Sequence, residues 1–92
     1  MNKEDLYNTA ISINENNFDK IQNILLILGF NWQASGNNII DKEDYNYIKI
    51  LKNKHNIYYK EDVIFFSNNI ENYKIINGDN FIRKFKIKKL ND

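Results

Sequence analysis

The chain has 92 residues, enough for one domain with a single core and little stability to spare. Its 42% hydrophobic and 14% aromatic content is that of a folded protein, and the lack of cysteine excludes disulfides and thiol chemistry. A net charge of +1 argues against a phosphate mimic and against a dedicated duplex-DNA binder.

No apolar run approaches the roughly 20 residues that span a bilayer. There is no basic-then-apolar leader at the N-terminus, so the expected location is the cytoplasm. Asn (18), Ile (16) and Lys (12) supply 46 of the residues, and proline is absent. All three have AT-rich codons, so the skew reads as genome composition and the asparagines as codon drift on surface positions. Charge is uneven: residues 1–44 carry −4 and residues 45–92 carry +5.

Residues 1–5 are polar and read as a frayed end. Tyr7, Thr9, Ile11 and Ile13 alternate with Asn8, Ala10 and Ser12, the period of a first strand. A helix follows over residues 15–28, with Asn14 as its expected N-cap. On a helical wheel Ile21, Ile24, Leu25 and Leu28 fall within about 120 degrees of Phe18, a stripe that faces the core. Leu26 and Ile27 lie off it, at about 80 and 180 degrees. They are either the fringe of a wide buried face or a separate strip that meets another chain. Gly29 supplies a left-handed stop.

Phe30, Trp32 and Ala34 then alternate with Asn31 and Gln33 as a short strand, and Ser35-Gly36-Asn37-Asn38 has turn composition. A polar loop over residues 37–44 holds the Ile39-Ile40 pair and the charged run Asp41-Lys42-Glu43-Asp44. The next strand, over residues 45–52, puts Ile48 and Ile50 on one face and Tyr45, Tyr47, Lys49 and Leu51 on the other. Residues 53–56 read as a hairpin loop and residues 57–59 as the returning strand. Residues 62–66 fit either a helical turn or an irregular crossover that buries Val63 and Phe66. Residues 73–76 read as a strand stopped by Asn77-Gly78-Asp79. Beyond it we expect a helical turn, then an edge strand in which Phe85 and Ile87 alternate with protective lysines. The expected class is α+β: an antiparallel sheet of about five strands with one main amphipathic helix on one face.

The run from Ile24-Leu25 through Leu28-Gly29-Phe30-Asn31-Trp32 to Ser35-Gly36 resembles a pattern in small phage- and prophage-encoded proteins. There a strand and helix lead to Gly-aromatic-x-Trp, a Ser-Gly turn and later tyrosine-rich strands. Ile75-Ile76-Asn77-Gly78-Asp79-Asn80-Phe81-Ile82 resembles their close, so the likeness spans residues 9–82. One residue more than usual separates Trp32 from Ser35-Gly36. The resemblance implies a phage or mobile-element origin, hence an infected or lysogenic bacterial host. It implies a class of inhibitors of host defence that includes anti-CRISPR proteins.

No catalytic constellation stands out. His55 lies in a polar loop without partners at metal-binding or catalytic spacing. Asp41, Glu43, Asp44 and the Glu61-Asp62 pair read as solvated loop residues, and the three glycines are too scattered to cradle a phosphate. No metal or cofactor is expected. Binding candidates are Tyr45, Tyr47 and Tyr58 beside Lys49 on the open sheet face, with the basic tail of Arg83, Lys84, Lys86 and Lys88. Tyrosine gives large contact area at little entropic cost, and lysines steer association. Leu26 and Ile27 form the rival surface. The leading expectation is a non-catalytic protein that binds and inhibits a host protein or ribonucleoprotein complex. The alternatives are an oligomeric protein, a homodimer for example, that sequesters a small ligand or nucleotide, and a weak RNA- or single-strand-binding module that stacks bases on tyrosine.

Overall fold

Among the described residues, seven regular elements follow a 3₁₀ turn at Lys3–Leu6: β1 (Thr9–Ser12), α1 (Phe18–Ile27), β2 (Asn31–Trp32), β3 (Tyr47–Leu51), β4 (Val63–Ser67), β5 (Lys74–Ile76) and α2 (Gly78–Asn91). This computed structural model describes residues 3–52 and 62–91, with side chains in α2 as far as Phe85. The expected hairpin loop with His55 and the expected strand over residues 57–59 lie outside the described residues.

The α1 stripe is buried as the wheel requires: Phe18, Ile21, Ile24 and Leu25 all lie in the core, with Leu28 half-buried at its margin. The helix starts later than its periodicity suggests. Asn14 accepts the N–H groups of Asn16 and Asn17 in a preceding turn, and Asn17 occupies the cap position itself. At the other end Gly29 has φ +100, and the N–H groups of Gly29 and Phe30 bond to the carbonyls of Leu26 and Leu25. These paired bonds satisfy carbonyls that a helix end otherwise leaves open.

The five strands form one sheet in the order β2-β4-β3-β1-β5. β3 is antiparallel to β1 and β4, whereas β5 runs parallel to β1 and β2 parallel to β4. The sheet is therefore mixed, not antiparallel throughout. The reason lies in the connections: β1–α1–β2 is a helical crossover, which returns the chain in its original direction. Residues 62–66 are neither a helical turn nor a crossover but most of a central strand, β4, which is the antiparallel partner of β3. Ile64 and Phe66 register with Ile50 and Ile48 on the core face, and Val63 and Phe65 with Leu51 and Lys49 on the other.

The tail is also different from its expected form. Lys84 to Lys88 alternate like an edge strand, yet they belong to the 14-residue α2. Asn77 caps it by accepting the Asn80 N–H at 3.0 Å. Phe81, Ile82 and Phe85, spaced as one helical face, pack on the core cluster beside α1. Two helices thus cover one face of the sheet. No helix among the described residues is long and apolar enough to cross a membrane.

The other face is crossed by the chain itself. Residues 68–73 lead from Ser67, level with Ser12, to Lys74, level with Thr9 and three strands away. The straight path is about 17 Å and the extended chain reaches about 24 Å, so little length remains for a detour. The Tyr73 ring at the end of this crossing lies 4.3 Å from the Lys49 Nζ, and Ala10 beside Lys49 is fully buried.

Residues 3–6 are tied down, not frayed. Leu6 is fully buried, and Lys3 pairs with Asp62 at 2.9 Å. The Tyr7 hydroxyl donates to the same Asp62 oxygen at 2.6 Å. That bond, then burial and the negative charges of Asp62 and Glu4, push the Tyr7 pKa from 10.0 up to about 12. Its contribution to stability is complete below pH 10 and is lost as pH rises through about 12. A tyrosinate absorbance titration should show a late-titrating phenol that Tyr7→Phe removes. If Tyr7→Phe removes no such late phase, the Tyr7–Asp62 bond is not maintained in solution.

Candidate protein-docking site

Of the exposed large apolar residues in the first half, Ile27 ends α1, whereas Ile39 and Tyr45 lie where the chain has no regular structure. After β2, Trp32 and Gly36 exchange backbone bonds of 2.7 and 2.9 Å across a tight turn. This turn replaces the longer strand expected over residues 30–34, and it leaves Ala34 exposed. Residues 37–46 then return as a loop that is irregular but pinned. Gln22, fully buried on α1, accepts the Trp32 indole N–H at 2.8 Å and the Ile40 N–H at 2.9 Å. Its amide also donates to the Ile40 carbonyl at 3.1 Å. Farther along, Asn46 donates to the Asn68 side chain, and its carbonyl accepts the Ile13 N–H. Two large apolar side chains stay out of the core on this fixed loop: Ile39 is 63% exposed and Tyr45 39%.

Between the loop and the turn lies a recess of about 170 Å³, lined by Trp32, Ser35, Ile40, Glu43, Tyr45 and Phe66 among others. One wall is a continuous ring stack. Tyr45 lies on Phe66 at 5.8 Å with planes 14° apart, and Phe66 on Trp32 at 4.7 Å and 30°. Ser35 contributes a hydroxyl that is buried yet has no hydrogen-bond partner. Because that hydroxyl is desolvated without compensation, Ser35→Ala should leave the urea midpoint unchanged or raise stability by up to about 1 kcal/mol. A clear loss would mean that the hydroxyl is satisfied in solution.

The structure separates the residues expected to act together. Tyr45 precedes β3, so the strand alternation does not govern it, and its ring turns to the core-side stack instead of the Lys49 face. Tyr47 is half-buried on the Lys49 face. Lys49 is only 9% exposed and has Phe65 and Tyr73 rings around its ammonium, so it is a packed residue under the crossing. Tyr58 lies outside the described residues. Arg83 and Lys84 are exposed on α2, which packs on the opposite face of the sheet from Tyr47 and Lys49, so these four described residues form no common surface. Lys86 and Lys88 follow on α2 beyond the last described side chain. Lys84 instead borders a groove of about 540 Å³ along β5 with Asp5, Lys74 and Asn80. In the rival strip Leu26 packs on the core, and Ile27 alone stands out, at 69% exposure.

Gln22, Ser35, Ile39, Glu43 and Phe66 were not singled out from the sequence as a site. The available signals were the position of Gln22 beside Phe18, at the edge of the apolar stripe, and Ile39 within a polar loop. Among the described residues no three of His, Cys, Asp and Glu gather to hold a metal ion. Compared with protein-family models, with curated proteins and with solved structures, the chain matches none of them.

Proposed function

We propose that this protein is a non-catalytic binder of phage or mobile-element origin that inhibits a host protein by occupying part of its surface. The supporting observation is the pinned loop with Ile39 and Tyr45 exposed beside a recess. Large apolar groups on a mobile loop lose much of their binding energy to ordering; here Gln22 already holds the backbone. An aliphatic and an aromatic anchor around a small pocket is the composition of an interface centre. The inhibitory, anti-CRISPR-like role rests on the resemblance of the runs from Ile24 to Gly36 and from Ile75 to Ile82 to small phage proteins. The host target in this reading is a nucleic-acid-handling defence complex.

The test begins with capture of a partner from a bacterial host lysate and continues with variants. Ile39→Asp and Tyr45→Ala should each weaken that complex by at least about 1 kcal/mol, some fivefold or more. Ile27→Asp and Lys84→Glu should change it little. If Ile27→Asp abolishes capture while the loop variants bind normally, the docking surface lies on α1 and this reading falls.

A further inference from the structure

We propose that the recess between Tyr45 and Ser35 receives an arginine side chain presented by the partner. This deepens the docking reading above and rests on it. Size comes first. A recess of about 170 Å³ is smaller than the ~300 Å³ at which sites for small molecules begin, so it suits one inserted side chain.

The lining chemistry then selects which one. The partly exposed Tyr45 ring is backed by Phe66 and Trp32 in a fixed stack, which offers an aromatic face to a flat cation. A guanidinium can lie flat on such a ring, whereas an ammonium is a strongly hydrated point charge. Glu43 lines the same recess, and no described basic side chain is ion-paired with it. Asp41 and Asp44 are exposed close by in the chain, and Lys42 donates to the Glu43 main-chain carbonyl at 3.1 Å, so the segment from 41 to 44 keeps a net negative charge. Finally, the Ser35 hydroxyl is buried there without a partner. Unsatisfied buried hydroxyls are uncommon, and this one can accept one of the N–H groups that a guanidinium presents in several directions. A neutral apolar side chain would use the rings but leave Glu43 and Ser35 unmatched.

Trp32 is the only tryptophan in the chain and lines the recess, so its fluorescence and its indole N–H resonance report on occupancy. The probe is a blocked Gly-Arg-Gly tripeptide titrated to millimolar concentration, beside the lysine and citrulline counterparts. Citrulline keeps the shape of arginine and removes its charge. The arginine peptide should give a saturable change, with binding at least about tenfold weaker for citrulline and clearly weaker for lysine. Glu43→Gln and Ser35→Ala, both verified as folded by circular dichroism, should each weaken the arginine peptide. The proposal is overturned if the arginine peptide gives no saturable change, if citrulline or lysine binds equally well, or if Glu43→Gln has no effect. Failure here is distinct from failure of the docking reading. If the tripeptides do not bind but Ile39→Asp still disrupts partner capture, the loop is the interface and arginine is not what fills it.

Discussion

Gln22→Leu should lower stability by about 3 kcal/mol or more, although leucine suits a buried helix position better than glutamine in every local respect. The substitution removes one side chain and leaves three other groups without partners: the Trp32 indole N–H, the Ile40 N–H and the Ile40 carbonyl. Each unsatisfied buried polar group costs about 1–3 kcal/mol, and apolar burial by leucine recovers only part of it. The measurement is the urea midpoint, with the exposed Asn23→Ala as control. A shift no larger than the control's would mean that the loop over residues 37–46 is not held by α1. The same variant should loosen Ile39 and Tyr45 and so weaken partner capture, through ordering cost and not through lost contacts. Stability and binding are coupled here because one buried amide fixes both the core indole and the loop.

Gln22 also shows what the sequence made legible. It falls about 40 degrees from Phe18 on the wheel, just beyond the edge of the apolar stripe and between Phe18 and Leu26, yet it is fully buried. A polar residue there must be satisfied, but its partners, Trp32 and Ile40, are 10 and 18 residues away. Local periodicity names the position and cannot name the partners. Other elements were legible for the opposite reason: the sequences of α1, β1 and β3 repeat or alternate with the period of their own geometry. β4 does not, because Val63-Ile64-Phe65-Phe66 is apolar throughout. That is the signature of a strand covered on both sides, here by α1 below and by Lys49 and the crossing above.

The tail illustrates the ambiguity of short lysine-rich patterns. Phe85 and Ile87 alternate with lysines, but Phe81, Ile82 and Phe85 also share a helical face, and lysine is a good helix former. Asn77 decides between the two by capping. Several asparagines likewise have backbone roles that genome composition does not explain. Asn14 and Asn77 accept main-chain N–H groups at turns, and Asn8 and Asn72 adopt φ of 60 and 68. Asparagine tolerates that region better than most residues. A surplus of asparagine from any source makes such positions easy to fill. The parallel pairings were not legible at all, since they depend on where α1 and residues 68–73 carry the chain.

Gly78→Ala should destabilise the protein by about 3 kcal/mol, at the upper end of what overpacking costs. A propensity argument gives the opposite sign: Gly78 is in α2, and alanine in place of a helical glycine is worth up to about 1 kcal/mol. Sterics win here because α2 starts against the end of β1. A Cβ on Gly78 would lie 2.1 Å from the Ser12 carbonyl oxygen, 2.8 Å from Ile21 Cδ1 and 2.9 Å from Asn17 Nδ2. The isoleucine methyl can shift, but the Ser12 carbonyl is main chain at the end of a strand that is paired on both sides. Moving it would also disturb the 2.9 Å bond from the Gly78 N–H to the Ser12 hydroxyl, which holds α2 to β1, and the Asn17–Asp79 contact, which joins the starts of the two helices. The control is Lys84→Ala, exposed on the same helix, which should fall within about 0.5 kcal/mol of the parent protein. If Gly78→Ala instead raises the urea midpoint, the close approach of α2 to β1 is wrong, and with it the placement of Phe81 in the core.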